Sequence, residues 1–254
     1  MNFNKNTCLT TTFNITNKKG HVPTMEFISP VKKKQNKKLI IMIRGHIRDS
    51  FKDSRLKTLL QTLSQVYSIT IYLHTWDILQ SDKSWRQMKK DDTEVTIEMI
   101  MKYFDKISLK FVRIENEDQI SLICNLEGKI SNTLCPITCW KNMWYGMNEI
   151  IKNVSDPFET TILNIRYDIF TNKNNLFTIQ SIIKIIELHF NKYMYSNAFI
   201  SKVPKIGIDN LILGSVYSMR NLIQHFHFNL DKILKNYPEE IHQEFIVFKE
   251  NKLI

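Results

Sequence analysis

The sequence is poor in several features that would assign a chain to a class at once. Four cysteines in 254 residues (Cys8, Cys124, Cys135 and Cys139) are too few for a disulfide scaffold at this size. They lead us to expect a reducing compartment, most simply the cytoplasm. No apolar run reaches the roughly 18 residues that a bilayer-crossing helix needs, and the first residues lack the apolar stretch of a secretory signal. There is no GxxxxGK[ST] phosphate loop, no GxGxxG dinucleotide fingerprint and no nucleophile-elbow string. Cys135 and Cys139 have helical spacing but no histidines at zinc spacing, which reads as packing. His225 and His227 straddle a phenylalanine, a poor basis for a metal site. Acidic residues are scarce at the start: positions 1–38 hold eight lysines and the single acid Glu26. That block carries +7 of the formal +10, which leaves +3 for the rest. The run Lys32-Lys33-Lys34-Gln35-Asn36-Lys37-Lys38 reads as a solvated linker. Alternatively it is attracted to an anionic membrane face, worth about 1 kcal/mol per basic residue at the surface. Nucleic acid is not an expected partner, because no known module is present and the aromatics lie in apolar periodicities.

What is present is an ordinary globular composition, 43% hydrophobic and 24% charged. Residues 1–37, rich in Asn, Thr and Lys, predict a poorly ordered arm, and 38–254 predict a single α/β domain. Leu39 to Ile43 reads as a buried strand. Leu56, Leu59, Leu60, Leu63 and Tyr67 recur at helical spacing, and Ser68 to Leu73 is a β-branched second strand. Strand, helix and strand in about 35 residues imply a parallel βαβ unit. The alternation continues with a helical stripe from Ile97 to Phe104, a strand over 109–114 and a long amphipathic helix from Trp140 to Val154. A strand over 161–165 and a helix over 179–190 follow. Short strands at 198–200 and 211–213, a helix from Val216 and a last helix from Glu239 complete the reading. The fold class is therefore α/β, with a mostly parallel central sheet flanked by helices. Ligands of such sheets sit at the carboxyl ends of the strands.

Those ends carry the candidate site. The first strand runs into Arg44-Gly45-His46-Ile47-Arg48. Gly45 lets backbone approach a ligand, two arginines four apart suit phosphate oxygens, and the next helix N-terminus adds partial positive charge. The competing account is a turn whose arginines pair with local acids such as Asp49 and Asp53. The second strand ends in His74-Thr75-Trp76-Asp77, where His74 and Trp76 either floor a pocket or simply pack. The fourth delivers Arg166-Tyr167-Asp168. Asp168 could hold a divalent metal or a ribose hydroxyl, and Arg166 could balance diphosphate charge, or the two could form an internal ion pair. Farther on, Asp209 could act as catalytic base, and Ser215 reads as a helix N-cap.

In this order, these strings resemble a family of small glycosyltransferase-like proteins of bacteria and large viruses, associated with capsule, lipopolysaccharide and other surface glycans. The matching strings are Ile43-Arg44-Gly45-His46-Ile47-Arg48 with Phe51, Ile71-Tyr72-Leu73-His74-Thr75-Trp76, and Ser84-Trp85-Arg86. They continue with Trp140-Lys141-Asn142-Met143-Trp144-Tyr145-Gly146 and Asn164-Ile165-Arg166-Tyr167-Asp168-Ile169. Asp209-Asn210, Gly214-Ser215 and Met219 close the set. The resemblance spans about residues 39–225. It implies a nucleotide-diphospho-sugar transferase (GT-A-like) fold, a nucleotide-sugar donor, and a glycan or lipid-linked acceptor, and the lysine-rich arm adds the expectation of a cytoplasmic membrane face. The resemblance implies that Arg44 and Arg48 face the nucleotide and that Asp209 matches an acidic position near the acceptor side. Taken with the strand-end reading, Arg44, Gly45, Arg48, His74, Trp76 and Arg166 are the donor-binding candidates and Asp168 and Asp209 the catalytic ones. Arg166 stands where relatives carry the first Asp of an Asp-x-Asp metal motif. Dependence on Mn2+ or Mg2+ through Asp168, and a metal-free alternative, are both open. A sulfotransferase-like enzyme and a non-catalytic binding protein are the competing functions.

Overall fold

The structure is a computed structural model that describes residues 37–83, 88–105, 107–130, 135–172, 177–192, 199–203, 206–239 and 243–251. The predicted arm, apart from Lys37, lies outside the described residues, as do Ser84, Trp85 and Arg86.

β1 (Lys38–Arg44) is followed by a 3-10 turn at Ser50–Lys52, α1 (Ser54–Val66) and β2 (Ser68–Trp76). β1 and β2 pair in parallel, as the spacing predicts. β2 runs to Trp76, three residues past the predicted strand, so His74 and Trp76 are strand residues. Two short strands escape the sequence pattern: β3 (Ile78–Gln80) and β4 (Asp91–Glu94), which form a small antiparallel pair of their own. β4, Asp-Asp-Thr-Glu, is wholly exposed and has no apolar alternation to betray it.

α2 (Ile97–Tyr103), β5 (Leu109–Glu115), α3 (Ile137–Ile151) and β6 (Thr161–Arg166) follow close to their expected places. So do α4 (Ile179–Lys192), β7 (Phe199–Val203), β8 (Ile206–Ser215), α5 (Val216–Lys235) and α6 (Gln243–Glu250). β8 is ten residues long rather than the short strand expected, because Gly207 and Gly214 are paired within the sheet instead of turning the chain. Ser215 caps α5 as predicted, its side chain accepting the Ser218 N–H at 3.1 Å.

The six-stranded sheet has the order β5-β2-β1-β6-β8-β7. The first four strands are parallel, and β8 and β7 continue it antiparallel. β1 is buried from Leu39 onward because both faces are covered, which explains its unbroken apolar run. Leu39, Ile41 and Ile43 pack with α1, α2 and α4. Ile40 and Met42 face the opposite way, into a second core with Trp140, Trp144 and Met147 of α3, Phe226 of α5 and Ile246 of α6. Among the described residues, no helix is long and apolar enough to cross a membrane.

Candidate functional site

From β1 the chain steps outward through β2 to β5, then returns to lay β6 on the other side of β1. The direction of winding therefore reverses between β1 and β6. A reversal of this kind opens a crevice outside the carboxyl ends of the two strands. Three polar side chains end up side by side there. Arg44, the last residue of β1, is in register with His74 on β2 and with Arg166 on β6. In each strand the residue two positions earlier (Met42, Tyr72, Asn164) faces α3, so strand alternation sends all three toward that helix. α3 comes close because Gly146 lies against the imidazole. A Cβ built at Gly146 meets His74 Nδ1 at 2.7 Å.

The resulting cleft encloses about 130 Å³. Its lining brings together Arg44, Gly45, Arg48, His74, Trp76 and Arg166, all six residues that the sequence nominated for donor binding. The loop after β1 folds back through left-handed backbone. Gly45 has φ 92°, which glycine accepts readily, and Arg48 has φ 53°, uncommon for a side-chain-bearing residue. The Arg48 N–H donates to Leu79 O at 2.9 Å, pinning that turn to β3.

Asp168 anchors the cationic wall. It lies in a 3-10 turn, Tyr167–Ile169, beyond the end of β6, rather than on the strand. Its Oδ1 accepts from Arg166 Nε at 2.8 Å, and its Oδ2 accepts from Arg166 Nη2 at 2.9 Å and from Arg48 Nη1. So the ion-pair account of Arg166 and Asp168 holds, with Arg48 added from 120 residues away. The local pairing proposed for Arg48 does not occur. Asp49 bonds Lys52, and Asp53 caps α1 and holds Arg55. The expected contribution of the α1 N-terminus also fails: Asp53 already occupies it, and α1 packs on the face of the sheet away from α3.

The two histidines differ. His46 is held far below its ordinary pKa, at about 3, by burial first and then by the charges of Arg48 and Arg166, so it is neutral. His74 Nε2 lies 3.0 Å from Glu115 Oε2, and Arg113 and Tyr145 donate to the other Glu115 oxygen at 2.7 and 3.0 Å. Burial pushes the Glu115 carboxyl up, but these hydrogen bonds outweigh it and hold the pKa at about 2. Trp76 meets the His74 ring edge-on, with centroids 4.9 Å apart.

The cleft is also lined by Ser81, Lys83 and Glu117, which sequence reasoning overlooked, and by Trp140, Asn142 and Met143, which it quoted as a string without a binding role. Glu117 is the one carboxylate among the lining residues. It accepts from Asn142 Nδ2 and lies 3.8 Å from His46 Nε2, and burial raises its pKa. A signal was available, because Glu117 follows the third predicted strand by three residues and the strand-end rule applies there too.

Asp209 belongs to β8, whose Leu211 pairs with Ile165, so its backbone stands at the same edge of the sheet as the cleft. Its side chain lies outside what the structure describes. Cys139, at the cleft wall, donates its thiol to Lys83 O at 2.9 Å. His225 bonds Glu250 at 2.7 Å. Among the described residues no group of three or more His, Cys, Asp or Glu is arranged to hold a metal ion. With both Asp168 oxygens accepting guanidinium N–H groups, the carboxylate as placed fits two arginines rather than a cation. No protein-family model matches the chain, and no curated protein matches it significantly in sequence.

Proposed function

We propose that the protein is a glycosyltransferase with a GT-A-like fold that binds a nucleotide-diphosphate sugar at the carboxyl ends of β1, β2 and β6. It passes the sugar to a hydroxyl of a surface or virion glycan or of a lipid-linked acceptor. One observation carries this reading: Arg44 and Arg166 lie in register at the winding reversal, with Arg48 drawn alongside by Asp168. Three guanidinium groups are thus gathered where a parallel sheet receives its ligand. Guanidinium forks suit phosphate oxygens, and charge developing on a departing diphosphate is stabilised by donors already fixed in place. Asp168 acts here as the strut that orients two of those forks. Asp209, from its position at the same edge, is the candidate to take the acceptor proton. The enclosed volume is below the roughly 300–1,000 Å³ of sites that engulf a whole small molecule. The cleft therefore takes the diphosphate and its neighbouring sugar, with the nucleoside toward the mouth. In this reading the lysine-rich arm brings the enzyme to an anionic cytoplasmic membrane face.

The test is thermal unfolding with UDP, GDP, CMP and their sugar conjugates. At least one nucleotide at 100-fold over its Kd raises Tm by about 5–10 °C, and a chelator changes its affinity by no more than about twofold, since arginines carry the charge. If no nucleoside mono- or diphosphate shifts Tm, the reading fails.

A further inference from the structure

The cleft is lined by Arg44, Arg48 and Arg166 and also by Glu117, with its side chain 9% exposed. Asp168, behind the arginines, and Glu117, in the cleft lining, are neutralised very differently. Asp168 is spanned by two guanidiniums. Glu117 takes its hydrogen bonds from uncharged Asn142 and Ser81, and its nearest histidine, His46, is kept neutral by its surroundings. Lys83 lies near enough to be felt, but its ammonium bonds Asp118. An ionised carboxylate offers about four lone-pair sites, so Glu117 keeps capacity for donors arriving from a ligand. Its removal from water strengthens its field inside the cleft.

We propose that Glu117 is the specificity residue of the sugar subsite, accepting hydroxyl hydrogens from a neutral hexose and rejecting sugars that carry a carboxylate. The proposal rests on the nucleotide-sugar reading above and narrows it: donors with an uncharged sugar are taken, and uronic or other acidic sugars are refused. A carboxylate on the sugar would meet Glu117, whose own hydrogen-bond donors are uncharged, and juxtaposed like charges in a desolvated site discriminate strongly. A neutral ring brings only O–H donors to Glu117. Asn142 fixes the Glu117 carboxylate from α3, so the acceptor geometry is set before the sugar arrives.

The experiment titrates the whole protein with the nucleoside diphosphate that binds best, then with sugar nucleotides of that base differing only at C6, a hexose and its uronate. In the wild type the hexose conjugate binds at least about tenfold more tightly than the uronate. In Glu117→Gln, which keeps the shape and removes the charge, the gap shrinks to about threefold or less, while affinity for the free diphosphate is retained. The wild-type comparison stands even if the variant does not fold. Equal or tighter binding of the uronate by the wild type, or an unchanged gap in a folded Glu117→Gln, overturns the proposal and leaves the nucleotide reading intact. Failure of every free nucleotide to bind sinks the underlying reading instead, and is told apart at the first titration.

Discussion

Two aspartates, one at each end of the parallel sheet, are each held by two cations, and they do opposite work. At the amino end, Asp156 bonds Lys38, lies 3.8 Å from Lys110, and accepts the Tyr72 hydroxyl at 3.2 Å. Both lysines are 45% exposed. At the carboxyl end, Asp168 is held by Arg48 and Arg166, which are 16% and 21% exposed. The Asp156 carboxylate is as buried as that of Asp168, but its lysines stay half in water, so their pairing is screened and contributes modest stability. The arginines give up most of their hydration, and a buried ion pair scarcely repays that loss as stability. A fold gains little from placing such a group at its winding reversal, unless the gathered guanidiniums serve a ligand. The difference separates a half-solvated clasp from the cluster proposed to receive a ligand.

That comparison can be broken most forcefully at Arg166. Arg166→Ala leaves Asp168 short of a partner in a buried setting, and stability falls by about 3 kcal/mol, measured by urea unfolding, with nucleotide stabilisation abolished. A variant that unfolds at the wild-type midpoint and still responds to nucleotide would remove the distinction between the two ends. Gly146→Ala is next. In an open helix the exchange stabilises by up to about 1 kcal/mol. Here the new methyl meets the His74 ring, whose far side is bonded to Glu115, so the sign reverses and stability drops by about 2 kcal/mol.

The third prediction concerns pH. In the folded chain His46 is depressed from 6.5 to about 3 and His189 from 6.5 to about 4, both chiefly by burial. The unfolded chain therefore binds protons that the native state refuses. The stability due to neutral histidines is complete above about pH 6.5 and declines as pH falls through the window toward 4. His46→Asn makes that decline shallower, a change read from urea midpoints at pH 7, 6 and 5. A slope indifferent to the substitution would show His46 charged in the fold. The smallest effect belongs to the amino end: Lys38→Ala shifts stability by less than about 1 kcal/mol and leaves nucleotide response untouched.

Much of this was legible before any coordinates. Leu39 to Ile43 is a continuous apolar run, and Thr161 to Ile165 a wholly buried one interrupted by Asn164, because α1 and α4 cover one face and α3 and α5 the other, and such runs can be read directly. The residues at their ends were legible by position. Arg44, His74 and Arg166 come into one row because parallel strands in register bring their carboxyl ends together. What escaped depends on contacts between distant segments. Arg48 has acids nearby in sequence at Asp49 and Asp53, and local charge suggested them. The left-handed turn instead aims it at Asp168, and no spacing rule encodes a partner 120 residues away. β4 was invisible because an exposed acidic strand carries no hydrophobic period. Glu117, in the loop past β5, was within reach of the strand-end rule, but its contact with Asn142 appears only when α3 closes over it.

The pairing of β6 beside β1 has a consequence for how the chain is made. During synthesis β1, α1 and β2 are available long before Thr161 emerges, and until β6 arrives β1 is an apolar edge with unpaired amides. Contacts of that sequence separation close slowly, so the nascent chain carries an adhesive margin for much of its translation. A chain halted between α3 and β6 would present that margin permanently, and it would be prone to association through β1.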